Sequence, residues 1–404
     1  MLKQIYQEYK DTVLLGIVAA VIGIGVALID VLFGKVLNSL SGFREEHLVI
    51  LLPFFPIAGL LIVYIYLNLG KDCTKGMGLI FSAGFKEREK IPKRLIPIAV
   101  GTTWLTHLFG GSSGREGVAI QIGGTFGHAV GRRLHISNCS EILLVAGMAA
   151  GFSGLFLTPL AAIFFALEVF VVGSFEYIAL FPTIISAFFA YFTSKALGLG
   201  KYVVQLQEPI TADYVIVAKL IMIGIAFGIV GGIFAYAFST VRIFLGVSLK
   251  SPYIRVATVG AIVALGIFAF HQGRYSGLGG NIINACFQGG DVYWYDFLLK
   301  AAFTILTLSA GYQGGEVTTL FTMGASLGVF LAPVFGLPVE LVAALGYAAV
   351  FGSATNTILA PIFIGVEVFG YDYLPYFFLV CSIAYVFNAN KSIYAMQRKN
   401  YLFH

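Results

Sequence analysis

Charge is the scarcest thing in this sequence. Of 404 residues only 45, or 11 %, are Asp, Glu, Lys or Arg, against about a quarter in an ordinary soluble domain. Hydrophobic residues make up 58 %, too many for a soluble protein to cover its surface with polar groups. That excludes a soluble enzyme, a disordered chain and a nucleic-acid binder, and it places the polypeptide in a lipid bilayer. Cysteine is scarce as well. Cys73, Cys139, Cys286 and Cys381 show no C-x-x-C spacing and no nearby histidine pattern, so they read as small buried apolar residues. The six histidines are scattered and no catalytic constellation is present. No metal site, cofactor or enzymatic activity is expected.

What the chain has in abundance is uninterrupted apolar sequence. Residues 12–29, 48–70, 142–167, 317–339 and 341–366 contain no charged side chain. At 1.5 Å per residue each covers all or most of a hydrocarbon core about 30 Å thick. Backbone groups in lipid must be satisfied within the segment, which predicts helices, and the alternation of an outer-membrane barrel is missing. Basic residues gather in short runs: Lys86, Arg88, Lys90, Lys93 and Arg94, then Arg132 and Arg133, then Lys391, Arg398 and Lys399. The positive-inside rule puts these runs, and the N-terminus with Lys3 and Lys10, on the cytoplasmic side of the cell membrane. No small-residue cleavage site follows the first span, so no removable signal peptide is expected.

Shorter apolar pieces lie at roughly 95–108, 117–129, 158–170, 297–309 and 358–369, broken by Gly, Pro and Ser. They are too brief to cross and read as re-entrant or broken helices. Irregular backbone at membrane depth is tolerated only inside protein or along a wet cavity. The glycine clusters at 76–84, 109–117 and 311–315 therefore mark a candidate binding site. The chain also repeats itself. The segment from Thr158 to Phe170 matches that from Thr357 to Phe369 at 8 of 13 positions with an offset of 199, and Gly111, Gly114 and Glu116 match Gly311, Gly314 and Glu316 at 200. Two halves, about 10–200 and 210–400, share one fold. Duplicated halves with interrupted helices point to a transporter whose site lies where the repeats meet.

The strongest local signal runs from Gly110 to Gly124, Gly-Gly-Ser-Ser-Gly-Arg-Glu-Gly and onward into an apolar stretch. It places free N–H groups and a positive dipole end at a helix start, which binds an anion without the grip of a full charge. Glu116 sits in that first turn. Its carboxylate can compete with an anion for the site and, once protonated, withdraw, which couples anion and proton movements. A plain helix cap is the competing reading. Arg115 beside it reads as structural, in a salt bridge. The second-half counterpart, Gly311 to Phe321, adds Glu316 as a second possible proton carrier, with Thr318 and Thr319 as hydroxyls that bind an anion or back-bond within the helix.

These motifs resemble those of the CLC chloride-channel and anion-transporter family over essentially all 404 residues. Its signatures G-S-G-I-P, G-[KR]-E-G-P and G-x-F-x-P stand here as Gly76-Met77-Gly78-Leu79-Ile80, Gly114-Arg115-Glu116-Gly117-Val118 and Gly315-Glu316-Val317-Thr318-Thr319. The resemblance implies an all-α polytopic membrane protein with a CLC-type fold of two inverted repeats and many tilted, re-entrant and broken helices. It implies a single transmembrane domain over 1–404 and a homodimer with one pore per subunit. The chain ends soon after Tyr394, so no cytoplasmic regulatory domain is expected. Glu116 falls on the gating glutamate and Tyr394 on a tyrosine that coordinates the central anion. Gly76, Met77, Gly78, Gly114, Gly117, Val317, Thr318 and Thr319 fall on the anion path.

The departures narrow the reading. Met77 replaces the signature serine, both signature prolines are absent, and Val317 replaces the signature phenylalanine. Glu168 aligns one residue before the family's inner proton relay, whose own position is Val169. Met in the serine position, Thr in the third stretch and Val169 at the relay position are similar to the fluoride-exporting bacterial branch. Fluoride holds its water strongly and needs short hydrogen bonds from hydroxyls and amides, with ring edges such as that of Phe81 in support. The expected function is secondary active export of fluoride in exchange for protons, with the lipid bilayer as partner and no nucleic acid. A passive anion channel and a chloride/proton exchanger are the alternatives.

Overall fold

The computed structural model describes residues 2–206 and 213–399. Met1 and residues 400–404, the chain ends expected on the cytoplasmic side, lie outside the described residues. The first half carries α1 (Leu2–Leu51), α2 (Phe55–Asn68), α3 (Met77–Gly84), α4 (Leu95–Leu108), α5 (Glu116–Gly131), α6 (Cys139–Phe156), α7 (Pro159–Glu168) and α8 (Leu180–Ala196). The second half repeats the series as α9 (Tyr214–Ser248), α10 (Pro252–Ala269), α11 (Gly280–Gln288), α12 (Asp296–Ala310), α13 (Val317–Phe335), α14 (Val339–Thr355), α15 (Leu359–Phe369) and α16 (Leu374–Val386). The five short apolar pieces in the sequence become α4, α5, α7, α12 and α15. All four cysteines are buried free thiols.

Two charge-free windows that read as single spans are each broken in two. Residues 142–167 divide between α6 and α7, where Leu157 closes α6 in the left-handed region (φ 58°) and Pro159 opens α7. Residues 341–366 divide between α14 and α15, where Asn356 closes α14 in the same way (φ 56°). Left-handed caps end helices, and a proline fits the first turn because that turn needs no N–H partner from it. The short pieces read at 158–170 and 358–369 mark where α7 and α15 begin, while the longer charge-free windows run across the breaks because hydropathy does not register backbone handedness.

Each half is held by a glycine crossing. A Cβ on Gly123 or Gly147 would overlap the other residue's carbonyl, so α5 and α6 touch backbone to backbone, and Gly324 with Gly346 does the same for α13 and α14. Small residues let membrane helices approach this closely where lipid offers no hydrophobic drive.

The halves meet end for end. Glu168, at the C-terminus of α7, accepts the N–H groups of Ile358, Leu359 and Ala360 at the start of α15, at 3.1, 3.1 and 2.7 Å. Glu367, near the C-terminus of α15, accepts those of Leu160 and Ala161 at the start of α7, at 3.1 and 2.9 Å. Midway the rings of Phe164 and Phe363 stack with centroids 4.3 Å apart. A tail-to-head exchange at both ends requires α7 and α15 to run antiparallel, so equivalent helices of the two halves point in opposite directions. The three basic runs also come together at one end of the molecule. Arg398 pairs with Glu87 at 2.6 Å and Arg132 with Glu89 at 2.7 Å, while Lys86 reaches Asn138 at 2.6 Å.

Two stability predictions follow from these contacts. Gly127→Ala places a methyl group into the Leu143 carbonyl, whereas Gly101→Ala in α4 meets nothing within 4 Å. The first is expected to cost roughly 1–3 kcal/mol and the second nothing, read as melting temperatures in detergent; equal melting of both variants would show that α5 and α6 have slack. Glu168→Ala strips three N–H groups of their acceptor and is expected to cost about 2 kcal/mol. Glu168→Gln should recover part of that loss, since an amide oxygen still accepts. An unchanged melting point for Glu168→Ala would remove the cap from the account.

Candidate anion site between the two halves

The glycine-rich loops of the two halves pair directly. Gly114 N–H donates to the Gly315 carbonyl at 2.5 Å and Gly315 N–H returns to the Gly114 carbonyl at 2.8 Å, a two-bond antiparallel bridge. A Cβ on Gly114 would stand 2.9 Å from the Gly315 oxygen, so the approach needs glycine. The bridge sets the first turns of α5 and α13 against each other in the middle of the protein.

Glu116, the first residue of α5, is wholly buried there. Its carboxylate turns across the interface onto the start of α13. Oε2 accepts the N–H of Thr318 at 3.1 Å and that of Arg115 at 2.9 Å, and Oε1 accepts a short bond from the Thr318 hydroxyl. Two amides and a hydroxyl at a helix N-terminus form a donor set for any small anion, and here a carboxylate fills it. Thr319 takes another direction, since successive helix residues turn by about 100°. Its hydroxyl meets that of Thr304 on α12 at 3.0 Å, which in turn meets Ser112 at 2.9 Å. Glu316 is half-buried at the cap of α13, with its Oε2 3.9 Å from where a Cβ on Gly117 would stand. Val317 is buried at the first position of α13. Arg115 does not form the expected salt bridge: its Nη1 donates to Asn38 at 3.1 Å and its guanidinium lies 5.6 Å from the centre of the Phe156 ring. The half-buried side chain thus has a neutral amide and a ring as its near partners.

A second cluster lies toward the end where the basic runs gather. Gly76 caps α3 in a conformation open to glycine (φ 49°), and Met77 and Gly78 begin the helix half-buried. Phe81, on the same helix, lies 5.5 Å from the Tyr394 ring, and Tyr394 lies 6.2 Å from Phe165. The Tyr394 hydroxyl is buried and has no hydrogen-bond partner among the described residues. Two residues that sequence reasoning missed belong to this cluster. Gln121, on α5, lies against Gly76 with its Oε1 buried and unpartnered, and the Met396 sulfur lies over Gly78, 3.4 Å from where a Cβ would stand. A polar residue within an apolar helix was the available signal for Gln121. Met396 left none.

The structure therefore brings Gly114, Glu116, Gly117, Glu316, Val317 and Thr318 to one place, and Gly76, Met77, Gly78, Phe81 and Tyr394 to a second. It turns Thr319 away from both. Gln121, on the helix that starts at Glu116, links the two.

Comparison with known proteins agrees with this architecture. The family model described as voltage gated chloride channel matches residues 58–389. A chloride/fluoride channel protein of Pseudomonas syringae pv. tomato is 33 % identical over 396 residues, 96 % of this chain and 86 % of its own. The crystal structure of a CLC-type fluoride/proton antiporter is similar at 48 % identity with a TM-score of 0.95, covering 97 % of this chain and 99 % of that one. A slow cyanobacterial Cl−/H+ antiporter shares the fold at 18 % identity and a TM-score of 0.78, over 93 % of this chain and 94 % of that one. With its inverted halves, broken helices and facing glycine loops, this chain belongs to the voltage gated chloride channel family.

Proposed function

We propose that this protein is a secondary active transporter that exports fluoride in exchange for protons, with Glu116 as the carboxylate that gates the anion path and carries the proton. The observation behind this reading is the position of the Glu116 carboxylate on the Thr318 amide and hydroxyl. A carboxylate that fills an anion's donor set must leave before an anion can enter, and protonation removes the charge that holds it there. Each anion passage is then tied to a proton. The similarity to an antiporter described as exchanging fluoride and protons favours the same pair of ions here. The chain acts by transport and not by catalysis.

Fluoride suits the donors. It is small and strongly hydrated, so it exchanges its water only for short, direct hydrogen bonds, and the Thr318 hydroxyl and the amides of Arg115 and Thr318 are of that kind. At the second cluster Met77 offers no hydroxyl, while the Tyr394 hydroxyl and the amides at the start of α3 remain. The edge of the Phe81 ring carries partial positive charge and adds to them. Glu316, across from Gly117, is the second proton carrier. The basic end faces the cytoplasm of a cell membrane, the chain ends lie on that side, and two subunits with one pore each form the working dimer.

A passive anion channel gated by the same glutamate is the second reading, favoured by the relative described as a chloride/fluoride channel protein. Purified protein in liposomes separates the two. A fluoride gradient should drive protons uphill, and fluoride flux with no proton movement would leave the channel. Glu116→Gln is expected to abolish proton coupling, because an amide can neither take up the proton nor carry the competing charge; coupled exchange at the native rate would take Glu116 out of the mechanism. Met77→Ser supplies a hydroxyl beside the second cluster. It should raise chloride flux relative to fluoride about tenfold or more, the effect of a well-placed hydrogen bond of 1.5–3 kcal/mol to a charged group, and an unchanged flux ratio would show that position 77 does not set selectivity.

A further inference from the structure

α12 buries a lysine that the exchange between Glu116 and an anion does not explain. Lys300 is fully buried, and its Nζ donates to the Gly277 carbonyl at 2.6 Å, to Ser112 Oγ at 2.9 Å and to the Tyr275 carbonyl at 3.3 Å. Three acceptors match the three N–H bonds of an ammonium group. Among the described residues no carboxylate lies within ion-pair distance of it. Of the other cations near the Ser112–Arg115 loop, Arg44 pairs with Glu45 and donates to the His107 carbonyl, whereas Arg115 donates to the neutral amide of Asn38 and is not joined to this chain of hydroxyls. An isolated charge at membrane depth is costly unless an opposite charge stands nearby.

The hydroxyls beside Lys300 show where that charge is felt. Lysine only donates, so Ser112 accepts from it; the Ser112 hydroxyl is then free to donate to Thr304, and that of Thr304 to Thr319, which uses every hydroxyl hydrogen up to Thr319. The relay ends in the first turn of α13, beside the residue that holds the Glu116 carboxylate. Its polarity adds positive potential to a helix end that is already positive.

We infer that Lys300 is a fixed counter-charge of the exchange site and favours the states in which that site holds a negative charge, either the Glu116 carboxylate or the transported anion. This rests on the proton-coupled exchange proposed above. Once Glu116 is protonated, Lys300 has no negative neighbour until an anion arrives. Protonation and anion entry then favour each other, and Lys300 is a positioning residue for the exchange because it acts on the site by its charge, without touching the anion.

The test uses the full chain in liposomes, reading fluoride and proton fluxes together. Wild-type protein that moves fluoride without protons overturns the exchange reading itself. With a coupled wild type, K300Q keeps donors for the carbonyls but loses the charge. It is expected to need at least tenfold more fluoride for half-maximal exchange and to move fewer than half as many protons per fluoride, while K300R stays within threefold of wild type on both counts. K300Q that matches wild type overturns the inference, and so does a K300R that uncouples as fully as K300Q. If K300Q does not fold, S112A decides: it cuts the relay but leaves the charge, and it should keep most of its coupling. Complete uncoupling in S112A would make Lys300 a hydrogen-bonding clamp and overturn its role as counter-charge.

Discussion

A backbone N–H at membrane depth must find an acceptor, and in this protein several helices begin inside the bilayer with no preceding helical turn to supply one. The start of α15 is met by Glu168 and the start of α7 by Glu367. The start of α13 is met by Glu116. In each case the carboxylate comes from the opposite half. Breaking helices inside the bilayer and burying acidic residues are each unfavourable alone. Together they satisfy one another and fix the halves in antiparallel register, so the interface between repeats holds the fold together as well as carrying the site.

The three caps are not equivalent, and the difference separates structure from transport. Glu168 receives three backbone N–H groups from α15, and Glu367 receives two from α7. Glu116 receives one backbone N–H and one hydroxyl from α13, and its remaining bond comes from the neighbouring amide of Arg115. A carboxylate held by three amides of another helix cannot leave without uncapping that helix. One held by a single amide and a rotatable hydroxyl leaves few groups to satisfy, and a small anion can satisfy them. Under the proposed exchange, the weaker cap is the movable one.

Much of this was legible in the sequence because it depends on residue type and spacing. The broken helices showed as short apolar pieces, and the duplication showed because Glu168 and Glu367 recur at one offset within matching segments. The glycine loops marked the place where the halves meet. Two things were not legible. The left-handed residues that split α6 from α7 and α14 from α15 are Leu157 and Asn356, and the leucine reads as continuous helix. Side-chain direction was hidden too. Thr318 and Thr319 look interchangeable in sequence, yet a turn of about 100° sends one to Glu116 and the other to Thr304. Gln121 and Lys300 matter through what lies opposite them, on helices distant in the chain.

The duplication also explains why the site has a direction. At an offset of 200, Glu116, Gly117, Val118 and Ala119 correspond to Glu316, Val317, Thr318 and Thr319. Each half begins its helix with a glutamate behind glycine, but only the second half adds hydroxyls in the first turn. The start of α13 can therefore hold a carboxylate or an anion by amide and hydroxyl together, while the start of α5 offers amides alone beside valine and alanine. A symmetric pair of helix ends would hold an anion equally at both. Thr318 in place of the first half's Val118 makes one end the stronger donor site, and the glutamate of the weaker half is the one that crosses over to fill it. Its partner, Glu316, stays half-buried at its own cap. Two helix ends alike in backbone thus take different parts because of a methyl-to-hydroxyl difference in their first turns.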